Sequence, residues 1–268
     1  MRIFGLNLDF DAITRAVGVQ PTEIRRRGDH GIAREPYPQD IWLLSSPLPR
    51  FETLESHILW LRAQLRSGKE ELLALKRTCQ VRSFCGVITK GSNCRFSLSP
   101  KALKLFTELG VEMETSLIFL GYSDEKALNS SFVDINEQEP TGESERYRTS
   151  VHVSLEISSQ SVGSANVLRQ LRTEFAESKS LLELVGNETL SLSVPVGQHS
   201  DLDTHFRWLE EFLRPHADLI RSLNRDRNVT IHCRFGTESD TGGFGISAEA
   251  LRVPVELGIG IDFDIRLM

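Results

Sequence analysis

Apolar and polar residues alternate over the last eleven positions, with Ile259, Ile261, Phe263, Ile265 and Leu267 on one side and Gly260, Asp262, Asp264 and Arg266 on the other. A period of two predicts a strand over 258–268 with one face in a core and one in water. The segment 111–120 repeats the inward set as Val111, Met113, Leu117 and Phe119. Its outward Ile118 replaces Arg266, so the outer face of this earlier strand is expected to be covered.

The likeness extends well beyond these strands. Displaced by 148 positions, the sequence matches itself without a gap from Asp40–Leu120 onto Glu188–Met268. His57, Trp60, Leu61, Leu65 and Arg66 fall on His205, Trp208, Leu209, Leu213 and Arg214, and Val81 and Cys85 on Val229 and Cys233. There are 17 identities over the 64 positions from His57 to Leu120, against about four by chance at ordinary composition. The chain is therefore an internal duplication, and each element can be read twice.

Ile58, Leu61, Leu65 and Leu72, matched by Phe206, Leu209, Leu213 and Ile220, form a helical stripe that faces a sheet. Ser67 and Gly68 in one copy and Pro215 in the other predict a break followed by a second short helix. Short helices over 100–109 and 248–257 follow Ser99 and Ser247 as N-caps and end at Gly110 and Gly258. Pro254 should kink or shorten the second of them. Strands over 80–89 and 94–98 read as a hairpin turning at Gly91, Ser92 and Asn93, and copy two should turn at Asp240 to Gly243. A strand, a helix and a strand open each copy, at 3–8, 11–17 and 40–46 and at 151–157, 165–175 and 189–196.

The fold class is thus α+β: two tandem copies of a β-α-β-α-β-β-α-β unit, each a mostly antiparallel sheet with helices packed on one face. Residues 1–123 hold the first copy and 150–268 the second, divergent one. The residues between them, 124–149, are an acidic, polar segment expected to be a flexible linker, with Phe132, Val133 and Ile135 as a small apolar patch. The first strand begins at the chain start, so either this copy has lost length there or the true start lies upstream.

Charge separates the halves. Residues 1–123 carry 17 Lys and Arg against 13 Asp and Glu, the linker 3 against 7, and residues 150–268 carry 11 against 17. No apolar run approaches the ~18 residues of a membrane helix, and an acidic residue interrupts the opening MRIFGLNLDF where a secretion signal would stay apolar. The expectation is a cytoplasmic protein with no membrane partner. Cys79, Cys85, Cys94 and Cys233 have neither disulfide-scaffold density nor zinc-site spacing, so reduced structural thiols are expected.

The run Arg2-Ile3-Phe4-Gly5, then Asp11-Ala12-Ile13-Thr14, Val17-Gly18-Val19-Gln20-Pro21-Thr22, a later Gly28, Trp42 and Trp60 resembles the bacterial family named domain of unknown function 4279. Copy one resembles it throughout, copy two mainly from Thr189 onward, where Leu190 stands in place of Trp42. The resemblance implies a small cytoplasmic α/β domain and supplies no activity or catalytic residues.

The search for chemistry yields no catalytic constellation. No nucleophile elbow occurs, and Gly242-Gly243-Phe244-Gly245 lacks the Lys-Ser/Thr and helix start of a phosphate loop. His199, Asp201, Asp203 and His205 read as a polar loop capping the long helix rather than a metal site, and His57 and His205, as internal equivalents, as packing or capping residues. The acid pairs Asp262/Asp264 and Glu112/Glu114 point to a polar strand face. Neither metal nor cofactor is implied.

Arg25, Arg26 and Arg27, followed by Gly28 and Asp29, are the most pointed feature. Three guanidinium groups in a loop could hold a phosphate or an acidic partner surface. Without interleaved aromatics or a basic total charge, nucleic acid is disfavoured as the partner. The expected function is a non-catalytic binding or protein-interaction module, its partner a protein or small molecule. The alternative is a sensor or enzyme for a phosphorylated small molecule or nucleotide that uses this arginine loop.

Overall fold

A computed structural model describes residues 1–30, 36–120, 149–158, 182–185, 189–226 and 228–268. The linker expected over 124–149, save Thr149, and the helix expected over 165–175 lie outside the described residues.

Copy one runs β1 (Arg2–Gly5), α1 (Phe10–Val17), β2 (Glu23–Arg25), β3 (Asp40–Leu43), α2 (Leu54–Leu65), α3 (Lys69–Leu75), β4 (Gln80–Lys90), β5 (Asn93–Leu98), α4 (Pro100–Leu109) and β6 (Met113–Leu120). Copy two runs β7 (Thr149–Ser158), β8 (Leu182–Val185), β9 (Thr189–Ser193), α5 (Leu202–Leu213), α6 (Ala217–Asp226), β10 (Asn228–Thr237), β11 (Thr241–Ile246), α7 (Arg252–Leu257) and β12 (Gly260–Leu267). The class is α+β, with two mixed sheets in which β4–β6 and β10–β12 are the parallel pairs among otherwise antiparallel ones.

Local sequence explains most of these elements. Asp9 caps α1, its carboxylate accepting from the Ala12 N–H at 2.9 Å; Thr53 and Asp201 do the same for α2 and α5, accepting from Ser56 and Thr204. Asp201 thus fills the capping role expected of its loop, while His205 lies inside α5 as a packing residue, 1% exposed. Ser99 caps α4 as expected, and Gly110 and Gly258 close α4 and α7 with φ of 59° and 73°. The expected breaks fall after Leu65 and Leu213. Pro254 sits in the first turn of α7, where its missing N–H costs nothing, and the helix is shortened to six residues.

A shared lock appears in both copies. Lys76 Nζ donates to the carbonyls of Leu109 and Gly110 at the end of α4, and Asn224 Nδ2 donates to those of Leu257 and Gly258 at the end of α7. The two donors are related by the 148-residue displacement and satisfy helix-end carbonyls that have no intrahelical partner. Asn224→Ala should therefore lower stability by about 1 kcal/mol in urea unfolding. An unchanged midpoint would show that water replaces the amide.

One expectation is overturned. Strands β4 and β5 do not pair with each other, nor do β10 and β11. The first sheet has the order β11-β6-β4-β1-β3-β2 and the second β5-β12-β10-β7-β9-β8, so each sheet is closed by a strand from the other copy. The reason is that both sides of β4 are taken, by β1 antiparallel and by β6 parallel. The segment Thr241–Gly243, expected to turn, begins β11 instead. Gly243 and Gly245 suit that edge: a Cβ on Gly243 would lie 2.5 Å from the Thr115 carbonyl oxygen, and one on Gly245 would meet the Glu112 carboxylate.

The chain accordingly forms two compact units. One draws its described residues from Met1–Ser92, from Lys104 onward and from Ser239–Glu249; the other draws them from Asn93–Leu103, Arg148–Glu238 and Ala250–Met268. In the first unit Ile3, Trp42, Met113, Leu117 and Phe119 bury one sheet face; in the second Val153, Leu155, Ile231, Ile261, Phe263 and Ile265 do so. The alternation predicted for β12 and β6 holds in both.

Candidate recognition face

The other face of the first sheet carries the charged side chains. In β1 and β4 the pattern Arg-x-Phe occurs twice, as Arg2-Ile3-Phe4 and Arg82-Ser83-Phe84, so on each strand an arginine and a phenylalanine share the face opposite the core. Register sets Arg2 directly opposite Arg82 and Phe84 beside Glu114 of β6. Like charges facing across a strand pair are unfavourable, and the aromatic rings offset this. Arg2 lies over Phe84 at 4.7 Å from the ring centroid and Arg82 over Phe4 at 5.9 Å. Glu114 Oε1 is 3.9 Å from Arg82 Nε.

The setting perturbs both kinds of charge. Burial pushes the Arg2 guanidinium down to about 10, aided by the neighbouring charge of Arg25, while Glu114 opposes the shift. Burial raises Glu114 above the usual carboxylate range, with Arg82 acting against it. Clustered shifts with named partners on one half-buried sheet face mark a candidate binding surface.

The structure separates the three arginines of the 25–27 run. Arg25 belongs to edge strand β2, opposite Ile41, which in turn lies opposite Phe4, so its side chain shares the face of Arg2 and Arg82. It is 9% exposed, makes a two-point pair with Glu23 at 2.7 and 3.2 Å, and lies 5.1 Å from the Tyr37 ring. Arg26 and Arg27 are exposed. The Arg26 guanidinium lies 5.1 Å from the Phe10 ring, and the Arg27 N–H donates to Asp40. The segment read as a loop is thus part strand, because three residues are too few to show a period and the pairing with β3 decides.

Sequence reasoning placed Glu114 on a polar strand face but did not single out Arg2 or Arg82, which two further strands bring beside it. The repeated Arg-x-Phe was the available signal. Phe4 also lines a shallow pocket of about 370 Å³ with Leu6, Gln39, Arg77, Cys79 and Gln80.

The corresponding face of the second sheet has different chemistry. Thr230 stands where Arg82 does, and its partner Glu156 occupies the place of Arg2. His232 replaces Phe84, with Nε2 3.3 Å from Glu156 and 3.8 Å from Asp262. Asp264 is paired with Arg266 at 2.8 Å and Arg95 at 3.2 Å, which hold its carboxyl below the usual range. Acids and bases are interleaved here, whereas guanidinium and aromatic groups prevail in the first unit. Burial, then the adjacent His152, keeps His205 below the usual histidine value. Among the described residues no group of three or more His, Cys, Asp or Glu is placed to hold a metal ion, and no helix is long and apolar enough to cross a membrane.

A family model described as Domain of unknown function (DUF4279) matches residues 1–120 and again 149–268. No curated protein and no solved structure matches the chain.

Proposed function

The chain belongs to the DUF4279 family, as two tandem copies, and from that premise we propose that it is a non-catalytic binding protein of the cytoplasm whose first unit recognises an acidic protein surface. The observation that carries this reading is the face on which Arg2 and Arg82 lie over Phe84 and Phe4, with the buried Arg25 already paired to Glu23 beside them. Guanidinium groups held over aromatic rings are oriented in advance, so less freedom is lost when they engage carboxylates. The second unit, with Glu156 in place of Arg2, Thr230 in place of Arg82 and His232 in place of Phe84, presents a different surface and gives the two copies different roles.

A specific observation also supports a phosphorylated small molecule as ligand. Arg26 and Arg27 are exposed side by side before Gly28, whose φ of 85° turns the chain sharply. The two readings use different arginines and are separable by one experiment. Native purification of the tagged full chain, followed by mass spectrometry, is expected to recover a stoichiometric protein that falls at least tenfold with Arg82→Glu and is unaffected by Arg26→Glu with Arg27→Glu. A bound phosphorylated metabolite lost only with the second variant would establish the other reading. A protein retained equally by the wild type and Arg82→Glu would refute the recognition face.

A further inference from the structure

We propose that the reciprocal exchange of β5 and β11 couples the two copies into one thermodynamic unit, so that weakening either exchanged strand destabilises both sheets together.

The two exchanged pairings are the same pairing made twice. β5 lies along β12 from Leu98 opposite Ile261 to Asn93 opposite Arg266, and β11 lies along β6 from Ile246 opposite Met113 to Thr241 opposite Ile118. Leu98 and Ile246, and Met113 and Ile261, are related by the 148-residue displacement. Each exchanged strand also contributes to the core of the sheet that receives it. Leu98 is 1% and Ile246 0% exposed, and Phe96 stacks on Phe263 with centroids 4.7 Å apart.

Because the registers agree, each copy could in principle close on itself, with β5 on β6 and Leu98 opposite Met113. The connection argues against it. In such a sheet β6 would separate β4 from β5, about 9.6 Å at ordinary strand spacing, with Gly91 and Ser92 between them. The three steps from Lys90 to Asn93 span about 11 Å when almost fully extended, and they would have to cross the end of β6 where the chain leaves it. Passing β5 into the other sheet removes that crossing. A copy that unfolds therefore withdraws a core strand from its neighbour and loses its own closing strand at the same time.

Paired cysteines in the full chain distinguish the two connections. Arg95 and Asp264 stand opposite each other on the outward faces of β5 and β12, whereas self-closure would place Arg95 opposite Ser116. Arg95→Cys with Asp264→Cys should form a disulfide on mild oxidation, and Arg95→Cys with Ser116→Cys should not, as read by non-reducing peptide mapping. Coupling is read separately through the tryptophans. Trp208→Phe leaves Trp42 and Trp60 to report on the first unit, and Trp42→Phe with Trp60→Phe leaves Trp208 to report on the second. Ile246→Val, a mild change on β11, should shift the urea midpoint seen by both reporters by the same amount, and Leu98→Ala should do likewise. A 95–116 disulfide, or a midpoint shift confined to one reporter, would overturn the proposal.

Discussion

Trp42→Ala should cost about 3–5 kcal/mol of stability, enough to leave the chain partly unfolded at physiological temperature. Trp42 is fully buried on β3, opposite Ile3 of β1, where its indole fills the space under α1. Its Nε1–H donates to Thr14 Oγ1 at 3.1 Å, which ties the sheet to that helix. The loss therefore has two parts: the cavity left by the ring and a half-buried hydroxyl deprived of its donor. Trp42→Phe should cost less, about 1–2 kcal/mol, because most of the apolar volume stays. Combining Trp42→Phe with Thr14→Val separates the two parts, and a coupling energy of about 1 kcal/mol in a double-mutant cycle is expected. Additive effects would mean that the hydrogen bond contributes nothing beyond packing. Copy two has a buried leucine, Leu190, at this place, so the indole is specific to the first unit.

What the sequence revealed, and what it hid, follows the range of the forces involved. The alternation of β6 and β12, the stripe of α2 and α5 and their breaks at Gly68 and Pro215 were legible because neighbouring residues decide them. Gly68 shows why the break is there: a Cβ on it would meet the backbone of Val17 at the end of α1. The duplication was legible because each copy reports on the other. The partner of β5 was not, since period two says which face of a strand is buried and nothing about which strand lies beside it. Strands β2 and β8, of three and four residues, are too short to show a period at all. The candidate face was hidden for a related reason. Arg2, Arg82 and Glu114 are far apart in the chain, and only the β1–β4–β6 register places them together. The contiguous arginines drew attention instead, and the strand geometry of β2 sends Arg25 to the sheet face while leaving Arg26 and Arg27 exposed in the turn.

Asp40→Asn should cost about 2–3 kcal/mol at neutral pH, and the cost should shrink in acid. The Asp40 side chain is buried at the start of β3, where its two oxygens accept from the Leu8 and Arg27 N–H groups, each at 2.8 Å. One carboxylate thus fixes both the entry to α1 and the segment that follows β2. An asparagine retains one acceptor but turns an N–H₂ toward the second N–H, leaving a donor opposed to a donor. The Arg27 N–H chiefly, then that of Leu8, hold the Asp40 carboxyl below its usual value against the effect of burial. A carboxyl whose folded value is depressed stabilises the fold fully above the unfolded value of about 3.9 and loses that contribution as pH falls through the folded value. The wild type should therefore lose stability below about pH 4, while Asp40→Asn has no such proton to take up. Urea midpoints of the two proteins at pH 7 and pH 3 should differ widely at the first and approach each other at the second. A gap that stays constant with pH would mean that the substitution acts through shape alone and that the carboxylate charge does not hold the two segments. Because Arg26 and Arg27 follow β2 directly, the same variant should also loosen the arginine segment. If that segment takes the phosphorylated ligand, binding should weaken in Asp40→Asn with every arginine still present.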